Sequence, residues 1–387
     1  MTDDLAATAV DVLIVGAGMA GCALAAHLAG AGRSVALVEA ESHVGYHSTG
    51  RSAAVFSQTY GGPVIRALSS ASRDAFLDPP AGFADQPLTR PRGQLYVADA
   101  ASQAALDAFG RQADVAAVTR RLSGAQARAL APVLRPEAVV AGLFEPGARD
   151  IDVDGVQQAY LRKVRAAGGR LLLDAKVTGL DHGPSGWRVR TSRGELRSEI
   201  VVNAAGAWSG EVAALAGACA LDLQPRQRTA ILVDAPDGFD IASWPFVVDA
   251  AERFYFKPDA GALLVSPADE TPVPPSDAQP EEMDVAVAVD RLEQATTIQV
   301  RRVRHRWAGL RTFAPDRAPV IGFDPAAPGF FWLAALGGYG IQTAPAVGEL
   351  AAGLLTSGEM GARFTDLGIG PADLAPARFA IAREAAQ

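Results

Sequence analysis

The sequence predicts an α/β fold into which a second, mixed-sheet α+β domain is inserted. Three observations carry that expectation. A short, continuous, β-branched run at residues 11–15 is followed at once by a glycine-rich turn and an alanine-rich helix. A second run of the same kind follows at 34–38, and two more return late, at 200–202 and 330–334. Short apolar runs of this kind mark parallel strands covered on both faces. The intervening segments alternate short strands with polar loops, which is the texture of a different domain. Over 387 residues, 49% apolar and 20% charged side chains fill a large core and exclude a disordered chain.

The charge balance and the cysteines narrow the function classes. A net charge of −8 leaves no electrostatic basis for general nucleic-acid or anionic-membrane binding. Cys22 and Cys219 cannot build a disulfide scaffold or a structural zinc site, which suits a reducing cytoplasm. The apolar stretch from residue 12 to 32 has no basic residue before it and carries glycines at 16, 18, 21, 30 and 32, so neither a signal peptide nor a transmembrane segment is expected. His43 and His47 are the one HxxxH pair among the five histidines, and no cysteine adjoins them, so no metal site is expected. No GxSxG elbow and no GxxxxGK[ST] loop occurs.

The first elements justify a dinucleotide site. Gly16-Ala17-Gly18-Met19-Ala20-Gly21 follows the strand directly, and the second strand ends in Glu39. In this GxGxxG, Gly16 permits a tight turn, Gly18 lets the backbone approach a pyrophosphate, and Gly21 lets helix and strand pack closely. The helix N-terminus faces the phosphates with unpaired N–H groups, and Glu39 accepts hydrogen bonds from a ribose diol. The segment after Glu39 contains Ser48, Thr49, Gly50, Arg51, Ser52, Ala53 and Ala54, small and polar with no helical or strand period. Laid extended over a cofactor, it offers N–H, hydroxyl and guanidinium groups, a cover that favours FAD over NAD.

Later elements follow in order. Residues 152–168 read as an amphipathic helix, and 171–173 with 175–177 as one strand. A buried strand at 200–202 ends in Asn203, Ala204, Gly206 and Trp208, mostly small residues that let the chain pass close to a cofactor. After the strand at 330–334, Gly337, Gly338, Tyr339 and Gly340 lead into a helix expected to start near Ile341. The stretch 266–283, rich in proline and acids, reads as an exposed loop, and Lys257 as a surface strand lysine. Cys22 reads as a small core residue. The expected organisation is a discontinuous Rossmann-like FAD-binding domain (1–85, 149–225 and 314–387) and a substrate-binding domain (86–148 and 226–313).

The elements GAGMAG, GYHSTGRSAA, VVNAAGAW, FYFKPD, WAGLRTFAPDRAPVIG and GGYGIQT occur in that order. Together they resemble the D-amino-acid dehydrogenase and glycine or sarcosine oxidase group of FAD-dependent amine oxidoreductases (the DAO family), most of all bacterial D-arginine-type dehydrogenases. The resemblance implies that Arg228 and Arg311 bind a substrate carboxylate, with hydroxyl contacts from Tyr60 and Tyr255. It implies that Gly309 and Gly338 offer carbonyls near the substrate amine, and that Tyr339, Gly340, Ile341, Gln342 and Thr343 face the flavin's pyrimidine edge. Gln342 reaches either ligand, and the Val177 backbone touches the adenine. Neither cysteine lies in the C-terminal half, where the resembling sarcosine oxidases tether their flavin, so the FAD is expected to be non-covalent.

Two positions depart from the arginine-type pattern. Val55 stands where those enzymes carry a histidine, and Gln94 where they set a glutamate against the substrate's cationic end. A neutral amide cannot neutralise a buried guanidinium, so the expected substrate is a neutral D-amino acid or an N-substituted amino acid. Asp85 is a conceivable replacement charge. The expected enzyme is a cytoplasmic monomer or homodimer that passes electrons to a quinone or other acceptor. An oxygen-using oxidase of glycine or secondary amines, and a non-catalytic flavin-binding electron-transfer subunit, stay open as alternatives.

Overall fold

The computed structural model describes residues 9–379. The chain opens with strand β1 (Ala9–Val15), helix α1 (Met19–Gly30) and strand β2 (Val35–Val38). β1 lies parallel to β2 on one side and to Gly194–Asn203 on the other. Arg170–Leu172 extends this sheet in parallel beyond β2, and Phe330–Ala334 extends it beyond Gly194–Asn203. The outer strands Val177–Gly183, Gly186–Thr191 and Val320–Phe323 join by antiparallel pairing. α1 is apolar around its whole circumference because it is buried, packed between the sheet and helices Val153–Ala166 and Ala344–Thr356.

The turn from β1 into α1 has no room for side chains. Gly16 has φ +105°, and a Cβ there would stand 2.5 Å from the Ala204 carbonyl oxygen. A Cβ on Gly21 would stand 2.1 Å from the Gly16 carbonyl oxygen. The two glycines thus let three backbone segments meet where the parallel strands end. Cys22, on the buried face of α1, donates its thiol to the Ala17 carbonyl, and burial pushes its pKa up to about 12.

A second eight-stranded sheet runs in the order Val303–Phe313, Gln224–Asp234, Ala262–Ser266, Tyr255–Asp259, Phe246–Asp249, Gln94–Ala98, Ala141–Glu145, Arg120–Ser123. All its pairings are antiparallel except that of Phe246–Asp249 with Gln94–Ala98. Helix Glu282–Ala295 covers one face through Val285, Ala288 and Leu292. A small sheet of Val55–Phe56, Arg149–Ile151 and Thr89–Pro91 lies on the chain path between the two large ones. No helix among the described residues is long and apolar enough to cross a membrane.

Four local expectations are corrected. The strand expected over 171–177 is two elements: Asp174 has φ +54°, and the N–H groups of Asp174 and Ala175 donate to the Glu41 and Glu39 carbonyls. Arg170–Leu172 therefore ends beside β2, while Val177 opens a hairpin at the far side of the sheet. The last long helix starts at Ala344 rather than near Ile341, because Pro345 fits only the first helical turn and the preceding residues close turns onto Leu336 and Tyr339. The segment after Glu39 is coiled over residues 44–51 rather than extended, with the Gly50 N–H donating to the Gly45 carbonyl at 2.7 Å. Lys257 is 4% exposed, not a surface lysine, since Asp150 reaches over its strand to accept from Nζ at 2.9 Å.

Substitution Gly21→Ala is expected to lower the unfolding free energy by about 1–3 kcal/mol in urea denaturation, because the added methyl overpacks the turn. Gly30→Ala, where a Cβ meets nothing within 4 Å, is the control and is expected to cause no loss.

Candidate active site

The N-terminus of α1 has Gly18 as its cap, with no side-chain capping bond and no acidic residue in the first turn. The Met19 N–H donates to the Thr49 hydroxyl at 3.1 Å. Glu39, at the end of β2, accepts from the Ala17 N–H at 2.9 Å and from the Glu41 N–H at 3.1 Å. Its carboxylate therefore buttresses the glycine turn from the neighbouring strand.

From this turn a cavity of about 410 Å³ runs to the second sheet. Gly16, Gly18, Met19, Ala20 and Glu39 line its near end, with Val177, Ala204, Gly206 and Trp208 alongside. Ser48, Thr49, Arg51, Ser52 and Ala53 form one wall, and Gly309, Arg311, Gly337, Gly338, Gly340 and Ile341 the far end. Gly21, Gly50, Asn203, Tyr339 and Thr343 are not among the residues that line it. Asn203, fully buried, donates from Nδ2 to the Ser209 carbonyl at 2.8 Å and holds the turn that carries Gly206 and Trp208.

Residues 48–51 are stitched to the second sheet. The Ser48 hydroxyl donates to the Leu310 carbonyl at 2.6 Å, and Trp307 Nε1 donates to the Arg51 carbonyl at 3.0 Å. Arg51 lines the cavity, but its guanidinium ion-pairs with Asp277 and donates to the Ala278 and Ala308 carbonyls. The stretch expected as a plain exposed loop is thus docked at this point, and Ala278 is buried.

The two arginines singled out by the resemblance come together through strand register. Arg228 pairs with Gly309 and Arg226 with Arg311 across one antiparallel ladder, so Arg228 and Arg311 are diagonal neighbours on one sheet face. Arg228 is 9% exposed, donates from Nε to the Asp269 carbonyl at 2.7 Å, and pairs with Glu270 at 3.1 Å. Its guanidinium lies 5.9 Å from the centroid of the buried Tyr255 ring. Arg311 Nη1 donates to the Tyr60 hydroxyl at 2.9 Å, and among the described residues no carboxylate pairs with Arg311. Burial works to raise the Tyr60 phenol, but the Arg311 and Arg228 guanidiniums outweigh it and hold its pKa below the usual value.

Beyond this pair lies a side pocket of about 50 Å³, which shares Arg228, Arg311, Tyr255 and Gly338 with the large cavity. Ala54, Val55, Gln94, Phe246, Val248, Phe254 and Gln342 line it, and Glu252 does so from a turn where its φ is +54°. Gln342 Nε2 donates to the Ser69 hydroxyl at 2.9 Å, which fixes that amide. Asp85 is exposed and lines neither cavity, so the acid of this pocket is Glu252 instead.

A glycine turn at the end of the first parallel strand, an acid at the end of the second, and a groove along both define a dinucleotide-binding α/β protein. The chain belongs to the FAD dependent oxidoreductase (DAO) family, which it matches over residues 11–354, and FAD is its cofactor. Dimethylglycine dehydrogenase of Mus musculus is 29% identical over 252 residues, covering 59% of this chain and 28% of that protein. The match therefore spans less than a third of that relative's length. Glycine oxidase of Geobacillus kaustophilus is 26% identical over 240 residues, 60% of this chain and 61% of that one. Its solved structure superposes with a TM-score of 0.77 over 92% of this chain and 96% of that chain, at 23% identity. L-proline dehydrogenase from P. horikoshii gives a TM-score of 0.81 over 96% of this chain and 98% of that chain, at 21% identity. These two structures share the fold.

Several site residues escaped the sequence reading. Glu145, fully buried, accepts from the Ser57 hydroxyl at 2.7 Å, the Thr59 hydroxyl at 2.6 Å and the Gln58 N–H at 2.8 Å. One carboxylate thereby pins the loop that carries Tyr60. The available signal was its place at the end of the apolar strand Ala141–Glu145, on the same face as Ala141 and Leu143. Glu252, Glu270 and Asp277 had no comparable local signal, because their partners lie on other strands and loops.

Burial raises the Glu145 pKa against the hydrogen bonds from Thr59, Ser57 and Gln58 that pull it down. A raised folded-state pKa gives stability that is full below the unfolded value, about 4.3, and is lost as pH rises through the folded value. In urea denaturation from pH 4 to 8, wild type is expected to lose stability relative to Glu145→Gln as pH rises. A difference that stays constant with pH would show that Glu145 does not titrate there.

Proposed function

We propose that the protein is a D-amino-acid dehydrogenase that oxidatively deaminates a neutral or N-substituted substrate. The observation that carries this reading is Arg311, a cation on the wall between the two cavities whose hydrogen-bond partner is a phenol and which no carboxylate among the described residues pairs with. A substrate carboxylate supplies the missing anion, and the planar guanidinium fork meets it bidentately. Arg228, already engaged by Glu270 and the Asp269 carbonyl, adds field and packing more than free donors. Tyr60 and Tyr255 flank the same place and orient the carboxylate.

The residues present fit FAD. The α1 N-terminus and the residues 16–21 turn suit the diphosphate, Glu39 a ribose diol and Val177 the adenine, with the flavin ring toward Gly309, Gly337 and Gly338. Neither cysteine lines the cavity, consistent with a dissociable cofactor. In this reading the first sheet carries the cofactor domain (1–85, 149–225 and 314–387), and the second sheet the substrate domain (86–148 and 226–313). Bound FAD supplies a two-electron acceptor for the hydride that leaves the substrate Cα. The amine nitrogen's lone pair forms the C=N bond as that hydride departs, and water then releases ammonia and a 2-oxo acid. The arginine clamp fixes which face of Cα is presented, and the apolar walls keep the bond-breaking step dry. A quinone or another acceptor then takes the electrons.

A second reading, an oxygen-using oxidase of glycine or a secondary amine, is favoured by relatives named glycine oxidase and sarcosine dehydrogenase.

Anaerobic titration of the yellow protein with D- and L-amino acids and with N-methyl and cyclic analogues tests both readings. Bleaching of the oxidised flavin band by D-amino acids is expected. Arg311→Met is expected to lower kcat/KM about 10²- to 10³-fold, chiefly through KM. No bleaching by any of these compounds, while dithionite still reduces the flavin, overturns the amine reaction.

A further inference from the structure

Gln94 is 0% exposed, and neither its Nε2 nor its Oε1 has a hydrogen-bond partner among the described residues. A buried donor and acceptor left without partners are costly, and native interiors rarely tolerate them away from a function. Gln94 lines the side pocket with Val55, Phe246, Val248 and Phe254, and its amide atoms are closed off from solvent there. Its neighbour across the ladder is Glu145, but that carboxylate is already taken by Ser57, Gln58 and Thr59. The partner for Gln94 therefore comes from what enters the pocket.

We infer that the side pocket is a carboxamide subsite, and that the substrates this chain prefers carry a short amide side chain, as in asparagine and glutamine. This rests on the amino-acid clamp proposed above. A primary carboxamide is the side chain that satisfies both Gln94 atoms at once: its N–H donates to Oε1 while its carbonyl accepts from Nε2. An apolar side chain leaves both atoms unpaired. A carboxylate pairs only with Nε2 and meets the Glu252 charge at the same pocket. A guanidinium or ammonium pairs only with Oε1 and leaves Nε2 unpaired, whatever it gains from Glu252 at the exposed edge of the pocket. The side pocket, at about 50 Å³, is small and suits a short polar tip.

The test compares near-isosteric substrates in the intact holoenzyme by anaerobic flavin reduction: asparagine against leucine and glutamine against methionine, in both hands. Wild type is expected to favour the amide of each pair about 10- to 100-fold in kcat/KM. Gln94→Leu is expected to erase or invert that ratio, and Gln94→Met, which keeps the length but has no donor, to reduce it. Equal efficiency for amide and apolar partners in wild type, or a ratio unchanged in both variants, overturns the subsite and leaves the clamp standing. Absence of bleaching by any amino acid overturns the clamp reaction and the subsite together.

Discussion

A guanidinium held inside a protein with a phenol as its hydrogen-bond partner, and with no carboxylate in direct contact among the described residues, is the constraint around which this molecule is arranged. Charge transfer into an interior is costly unless hydrogen bonds or an anion compensate. At Arg311 the Tyr60 phenol accepts the hydrogen bond, and the Tyr255 and Tyr339 phenols and Glu270 add their fields. That phenol sits on a loop tied down by three donors to Glu145, one acid serving a residue it does not touch. The neighbouring Arg228 shares Glu270 with Arg317, so the cations gathered here outnumber that one carboxylate.

Much of the framework was legible because its causes are local. The β1–turn–α1–β2 unit follows from apolar runs, three glycines and an acid, and the structure shows why no larger residue fits at Gly16 or Gly21. The buried runs ending at Asn203 and Ala334 likewise became parallel strands. Local reading failed where a backbone oddity or a distant partner decided the outcome. The positive φ of Asp174 broke a continuous apolar pattern into two strands on opposite sides of the sheet. Lys257 looked solvated because Asp150, 107 residues away in sequence, was invisible to a window.

The same distinction applies to the site. The arginine pair was identifiable only through its resemblance to a family, since arginine supplies nearly all the basic charge of this chain. Its physical basis is the ladder register that places Arg228 beside Gly309. The acidic residues that steady the site, Glu145, Glu270 and Asp277, were unread because each acts on a residue brought near by the tertiary fold. The departure at Gln94 was visible as a change of residue type, whereas its lack of partners needed the packed structure.

The large cavity draws its walls from the start, middle and end of the chain, and the Ser48–Leu310 hydrogen bond that joins two of them spans 262 residues. Closing so long a loop carries an entropic cost that must be met before the contacts it enables can form. Assembly of this region therefore comes late in folding, after each sheet has its nearest-neighbour strands. A dinucleotide that touches all three segments binds only the finished arrangement, and by mass action it draws the folding equilibrium toward it. The cofactor is thus a term in the folding equation as well as in the chemistry, and the flavin-free chain is the form most exposed to proteolysis and aggregation.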